Sequence, residues 1–185
     1  MTNDPHPTWK RFGQKTAYKG RAQIVVHDAE LPNGERTAYE VEHSDGKGVA
    51  VLIKTADNKI VLTHQFRFPL NRWIYDLPGG GSPASEGIEE AAIRECREEV
   101  SIRPKSLVKL ATFYTNPGRV DWPMHLFYCE DFEASELKLD DPSENVEKVL
   151  IPVEELDQLI RDQQIVDPSL MIAWYTARNM GYITV

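Results

Sequence analysis

The chain has 185 residues, a length that suits one domain or a domain with a small appendage. Acidic residues outnumber basic ones 29 to 21, leaving a net charge of -8, so non-specific nucleic-acid binding, which needs Lys and Arg to neutralise phosphates, is not expected. Two cysteines, Cys96 and Cys129, are too few for a disulfide framework or a zinc cluster, no stretch approaches the roughly 18 apolar residues of a membrane span, and the polar start lacks the apolar core of a signal peptide. A reduced, cytoplasmic protein with no membrane or nucleic-acid partner is expected.

In chain order, residues 1–19 read as a poorly ordered arm. Ala22–Glu30 and Arg36–His43 read as strands around Pro32-Asn33-Gly34, and Asn-Gly is a strong hairpin signal. After Gly46-Lys47-Gly48 a second hairpin follows, with Val49–Lys54 and Ile60–Phe66 flanking the turn at Ala56-Asp57-Asn58. Residues 67–85 are rich in Pro and Gly and read as loop, with a short strand at Trp73–Leu77. A helix is expected from Glu86 to Val100, capped by Ser85, because Ile88, Ala91, Ala92 and Cys96 recur at three- and four-residue spacing. Pro104 disfavours extension past Ile102. Strands at Leu107–Tyr114, Met124–Cys129 and Val146–Ile151 precede helices at Val153–Arg161 and Ser169–Asn179. Strands dominate with helices between them, which predicts an α/β (α+β) fold with a mixed sheet between helices. The boundary is expected near residue 46, with an arm and hairpin at 1–46 and the main domain at 47–185.

The first helix is unusually acidic. Six of the fourteen positions from 86 to 99 are glutamate, and Glu95, Glu98 and Glu99 lie at i, i+3 and i+4, on one face. Like charges at this spacing repel by about 0.2–0.5 kcal/mol per pair. A hard divalent cation reverses the sign of that interaction, since carboxylate oxygens are what magnesium takes. A solvated acidic face paired locally by Arg94 and Arg97 is the competing reading. The preceding run Leu77-Pro78-Gly79-Gly80-Gly81 lets backbone approach a ligand closely and offers carbonyl oxygens, or is a tight turn.

Together these residues resemble the Nudix box. Gly80, five residues, Glu86, seven residues and Arg94-Glu95-Cys96-Arg97-Glu98-Glu99-Val100-Ser101-Ile102 match its spacing throughout, with Ser101 where the pattern has glycine. The resemblance implies a Nudix fold and hydrolysis of a nucleoside diphosphate linked to another group, with Mg2+ as cofactor and Mn2+ able to substitute. By position it implies Glu95, Glu98 and Glu99 as metal ligands with the Gly79 carbonyl as a further one. It likewise implies that Arg94 orients the glutamates and that Glu86 supports them similarly.

His64-Gln65-Phe66-Arg67-Phe68-Pro69 and Tyr75-Asp76-Leu77-Pro78-Gly79-Gly80 are similar to the ADP-ribose pyrophosphatase branch, with Gly79 replacing an alanine. Thr115 to Trp122 resembles that branch's Pro-Gly-x-Ser-Asp-Glu segment, except at Val120 and Trp122. A nucleotide sugar is the implied substrate, ADP-ribose yielding AMP and ribose 5-phosphate, with GDP-mannose the nearest rival. A nucleotide-binding regulator without hydrolysis is the alternative from another class, and such a domain should have lost the helix glutamates.

The branch implies substrate contacts from Arg67, Arg119 and Asp76, and from Tyr39 with Glu40 at the base. The Arg67 fork suits a pyrophosphate oxygen pair, and a surface ion pair is its ordinary alternative. Tyr39 either stacks on a purine or is a plain strand tyrosine. The general base is expected in the acidic loop 140–147, from Glu144 ahead of Glu147; it must come within hydrogen-bond reach of the attacking water. Neither cysteine is needed. The alternating apolar residues of the first hairpin, such as Ile24 and Val26, need a surface to bury against, and a lone hairpin is marginal. A homodimer with these strands reaching the partner is the resulting expectation.

Overall fold

The computed structural model describes residues 6–20, 22–136 and 146–185, which divide into two compact units. The smaller comprises residues 1–45 with 114–122, and the larger 46–113 with 123–185. Residues 114–122, which the sequence gives no reason to separate from their neighbours, thus cluster with the N-terminal strands.

The small unit is an antiparallel sheet of β1 (Lys10–Lys19), β2 (Gln23–Glu30) and β3 (Arg36–His43). The Asn33-Gly34 hairpin forms as expected, with Gly34 at φ 88°, the left-handed region that the turn demands. β1 corrects the expected disordered arm. Every one of its residues is exposed, so it carries no apolar alternation to read; it is ordered by its ladder to β2. Within this unit the 114–122 segment docks on β3. Glu42 N–H donates to the Arg119 carbonyl at 2.8 Å, Tyr39 Oη to the Gly118 carbonyl at 2.6 Å, and Asp121 lies 2.5 Å from His43 Nδ1.

The large unit is built on a mixed sheet of β4 (Lys47–Lys54), β5 (Lys59–Arg67), β6 (Arg72–Asp76), β7 (Gly79–Ser82), β9 (Val108–Phe113), β10 (Met124–Cys129) and β12 (Val146–Pro152). β10 runs parallel to β4 and the other pairings are antiparallel. β4 and β5 pair only at Ile53–Val61 and Lys54–Ile60; beyond that point β6 continues from β5 and β7 from β4. β8 (Ile102–Pro104) and β11 (Phe132–Ala134) make a small separate sheet. Two short strands, β7 and β8, occupy stretches where glycine, proline and charge hide any apolar pattern.

Strand alternation sorts the two faces. Val49, Val51, Ile53, Val61 and Phe127 pack with Ala91, Ala92, Cys96 and Val100 of α1 (Ile88–Val100). Ala50, Leu52, Ile60, Leu62 and Leu126 face the other way, against α2 (Val153–Arg161) and α3 (Pro168–Asn179). The sheet is therefore enclosed by helices on both faces, as expected. α1 begins later than Ser85 suggested. Glu86 N–H is taken by the Pro83 carbonyl, and Gly87 holds the cap position with its N–H on Glu90 Oε2 at 3.2 Å. No helix among the described residues is long and apolar enough to cross a membrane.

Candidate active site

Three features of the local sequence place α1 against the glycine strand β7. Ala91, Ala92 and Cys96 are small enough to bring the helix close to the sheet, and none of the three is exposed. Gly79 lies opposite Ala50 in the ladder, where a Cβ would sit 2.2 Å from the Val49 carbonyl oxygen. A Cβ on Gly80 would come 2.5 Å from Glu95 Oε1. Backbone and carboxylates thus approach more closely than any larger residue at these two positions allows.

Arg94 organises the carboxylates. Its Nε and one terminal nitrogen grip Glu86 at 2.9 and 3.0 Å, and the latter also donates to the Gly81 carbonyl at 2.9 Å. Its other terminal nitrogen reaches Glu95 at 2.8 Å and Glu98 at 3.0 Å. These anions hold the guanidinium well above its ordinary pKa, Glu86 first, while Arg94 in turn lowers that of Glu86. The acidic helix face is therefore not a scatter of solvated charges. It is a network centred on one arginine, and each bond is charge-assisted. Glu99 is buried, and the Gly79 N–H donates to its Oε2 at 2.8 Å.

Whether these groups suit a divalent cation is a question of donor chemistry. Glu95, Glu98 and Glu99 supply only hard oxygen atoms, of the kind magnesium or manganese takes. Among the described residues, no three His, Cys, Asp or Glu side chains converge into a ready metal cluster. Arg94 holds Glu95 and Glu98 through one terminal nitrogen, and the Gly79 N–H holds Glu99. The donor set fits a hard cation, with Arg94 and β7 fixing the carboxylates from behind.

The remaining expected residues fall into separate groups. Arg67 and Asp76, on β5 and β6, lie on the α1 side of the sheet, in line with Thr63 and Gln65. Asp76 is buried and engaged with Arg67, whose Nε and a terminal nitrogen both donate to its Oδ2 at 2.8 and 2.5 Å. Asp76 thereby orients Arg67 instead of presenting a bare carboxylate. Glu147 is placed on the other face. It pairs with His64 across β12 and β5, 3.7 Å from its Nδ1, beside the rings of Trp73 and Tyr75. Strand alternation turns its neighbour Lys148 toward α1 instead, opposite Thr63. Glu144 lies outside the described residues. Both cysteines are buried, and desolvation pushes both thiols up, so neither is a nucleophile.

Tyr39, Glu40 and Arg119 belong to the small unit. There Tyr39 and Arg119 line a cavity of about 320 Å³ together with Trp9, Arg11, His27 and Asp121. The Trp9 ring meets that of Tyr39 edge-on, with centroids 5.6 Å apart. Glu40, next along β3, is exposed and alternation turns it away from Tyr39. Trp9 and Arg11 were missed because they sit in the stretch read as a disordered arm. An aromatic in a charged, non-alternating segment was the only signal.

Comparison with known proteins shows the family and the fold. A model of the NUDIX domain matches residues 45–173. The chain is 34% identical to the ADP-ribose pyrophosphatase of Bacillus subtilis strain 168 over 160 residues, which is 85% of this chain and 86% of that one. It is 32% identical to the methanol dehydrogenase activator of Bacillus methanolicus, covering 89% and 92% of the two chains. Among solved structures, an ADP compounds hydrolase superposes with a TM-score of 0.79 at 20% identity, over 96% of this chain and 98% of that one. At that identity the likeness speaks for the fold alone.

Proposed function

This chain belongs to the Nudix family and is a Nudix hydrolase, and from that premise we propose that it splits the pyrophosphate of a nucleoside diphosphate sugar, ADP-ribose foremost, with magnesium as cofactor. The observation that carries the reading is the Arg94 network on α1, sharing one side of the sheet with the Arg67 guanidinium. An anionic substrate on an acidic protein needs local positive charge, and a cation on these carboxylates together with Arg67 would provide it. The similarity to a named ADP-ribose pyrophosphatase supports the choice of sugar nucleotide.

Glu95, Glu98 and Glu99, with the Gly79 carbonyl, would hold the metal. When bound, it would neutralise charge on the pyrophosphate and make water a better nucleophile. Arg67 grips a phosphate oxygen with the face that Asp76 leaves open. Arg94 keeps Glu95 and Glu98 in place, and Glu144 takes the proton from the attacking water. Tyr39 and Arg119 receive the base in the aromatic cavity of the small unit. We further place two copies in a homodimer, in which the small unit of one serves the substrate of the other. Supporting this, β1 has no buried residue and exposes Phe12 and Tyr18.

The test is to incubate the protein with magnesium and a panel of nucleotide sugars and identify products by mass. AMP and ribose 5-phosphate from ADP-ribose are expected, with some turnover of other sugars because Val120 and Trp122 depart from the specificity segment. A preference for simple nucleoside triphosphates overturns the substrate reading. Light scattering at micromolar concentration gives the assembly; a fully active species with the mass of one chain removes the dimer.

A further inference from the structure

Residues 117–121 form one wall of the small unit's cavity, which is lined also by Tyr39 and Val41 of β3 and by His27 and Ala29 of β2. Three ties hold this wall to β3. The first is backbone: the Glu42 N–H donates to the Arg119 carbonyl at 2.8 Å, and the Asp121 N–H to the Glu42 carbonyl at 3.3 Å. The second is the Tyr39 hydroxyl on the Gly118 carbonyl. The third is ionic. At the end of β3, His43 Nδ1 lies 2.5 Å from Asp121 Oδ2, and the Ser44 N–H donates to Asp121 Oδ1 at 3.2 Å. The other ring nitrogen, Nε2, lies 3.3 Å from Asp45 Oδ1. A neutral imidazole has one N–H, so it serves only one of these carboxylates and turns a lone pair on the other. Only the imidazolium donates from both nitrogens, and this is the form that the two contacts suit.

We propose that His43 is a positioning residue for this cavity: its imidazolium latches residues 117–121, and Arg119 with them, onto β3, and loss of the ring proton slackens that wall. The inference rests on the reading that the cavity receives the base. Deprotonation does not free Asp121 entirely, since the Ser44 and Glu42 backbone bonds remain. It takes the charge out of the latch and leaves a bare ring nitrogen beside one carboxylate. The cavity then keeps Tyr39, Val41, His27 and Ala29, which the sheet holds, and loses the fixed position of Arg119. The charged groups around His43 are Asp121 from the docked segment, Asp45 beyond the strand, and Lys19 of β1, which lies in the same cross-strand row on the far side of Gln23. Alternation turns Glu42 to the opposite face.

The linkage has a definite sign. The hydrogen bond to Asp121 first, against some desolvation, and then Asp45 hold the His43 ring above its ordinary value of 6.5. A group whose folded pKa is raised binds more protons folded than unfolded between the two values. The latch is therefore at full strength below about 6.5 and is lost as pH rises through the higher folded value. The His43 side chain is 33% exposed and that of Asp121 38%, so water screens the pair and the effect is modest.

The test follows the latch on the intact protein. The Glu42 amide reports the docked segment through its bond to Arg119, and its hydrogen exchange, divided by the intrinsic rate at each pH, gives a protection factor. In the wild type, protection should fall about two- to fivefold between roughly pH 6 and 9, and the His43 ring signal in magnetic resonance should move to lower pKa in Asp121→Asn. His43→Arg keeps a cation at every pH and should stay level at the high protection; His43→Gln carries none and should stay level at the low one. A histidine that mattered only for packing would lose protection in both. Calorimetry with adenosine, which is neutral over this range, then reads the cavity: wild-type affinity should weaken by the same factor as protection, and that of His43→Arg should not. Wild-type protection that ignores pH, or a His43→Gln protein that follows the wild-type curve, would overturn the proposal. His27 lines the same cavity, so a pH dependence that persists in His43→Arg would assign the effect to His27 and equally overturn it. Adenosine that binds at no pH, with the protection pattern intact, would remove the base reading and leave the latch standing.

Discussion

Replacing Arg94 with Ala removes donors to four groups at once: Glu86, Glu95, Glu98 and the Gly81 carbonyl. Deleting one partner of a fully buried ion pair costs about 3–5 kcal/mol. Here the Arg94 side chain is 35% exposed, against 22% for Glu86, 12% for Glu95 and 28% for Glu98, so water compensates part of the loss. About 2 kcal/mol is the expected net destabilisation, with Glu95 the worst affected because it is the least hydrated. For a chain of this size that lowers Tm by roughly 4–8 °C. Catalysis should suffer more. The carboxylates lose the group that orients them, and changes behind metal ligands cost on the order of 10–100-fold. The two readouts separate by cation. Magnesium on Glu95, Glu98 and Glu99 relieves the repulsion that Arg94 no longer screens, so the Tm deficit should be largest in chelator and shrink with added magnesium. Arg94→Lys keeps the charge but lacks the planar fork, and should fall between wild type and Ala in both measures. The assay is a thermal melt in chelator and in magnesium, with kcat for ADP-ribose hydrolysis beside it. An Arg94→Ala protein that melts within a degree of wild type in chelator and turns over at full rate would refute this account of the helix face.

Other outcomes follow from single contacts. Ser101 ends α1 at φ 56°, a left-handed conformation that costs a residue with a Cβ about 1 kcal/mol, so Ser101→Gly should raise stability by about 0.5–1 kcal/mol in a denaturant titration with activity unchanged. Gly79→Ala drives a Cβ to 2.2 Å from a backbone oxygen, and about 3 kcal/mol of lost stability is expected; a neutral result would mean β7 and β4 can separate freely. Glu98→Gln or Glu99→Gln should reduce kcat on the order of a hundredfold or more, and hydrolysis that proceeds at an unchanged rate in excess chelator would rule the metal out.

What could be read from the sequence, and what could not, follows the kind of signal each feature leaves. α1 was legible twice over, from its apolar spacing and from the Glu95, Glu98, Glu99 face, because one helix carries both the core contacts and the chemistry. β4 and β5 were legible because their burial is long and continuous. β7 was not: three of its four residues are glycine, and a strand built for close approach has no side chains to show a period. β1 was missed for the opposite reason, since a strand exposed on both faces has no preferred one. The same logic explains the site. Arg94 and Glu98 are drawn together by the i,i+4 geometry that spacing predicts, whereas Glu86 reaches Arg94 from the turn before the helix and leaves no such period. Glu147 and Lys148 are adjacent in sequence, yet a period of two sends them to opposite faces of the sheet, and which face is which depends on the register with β5.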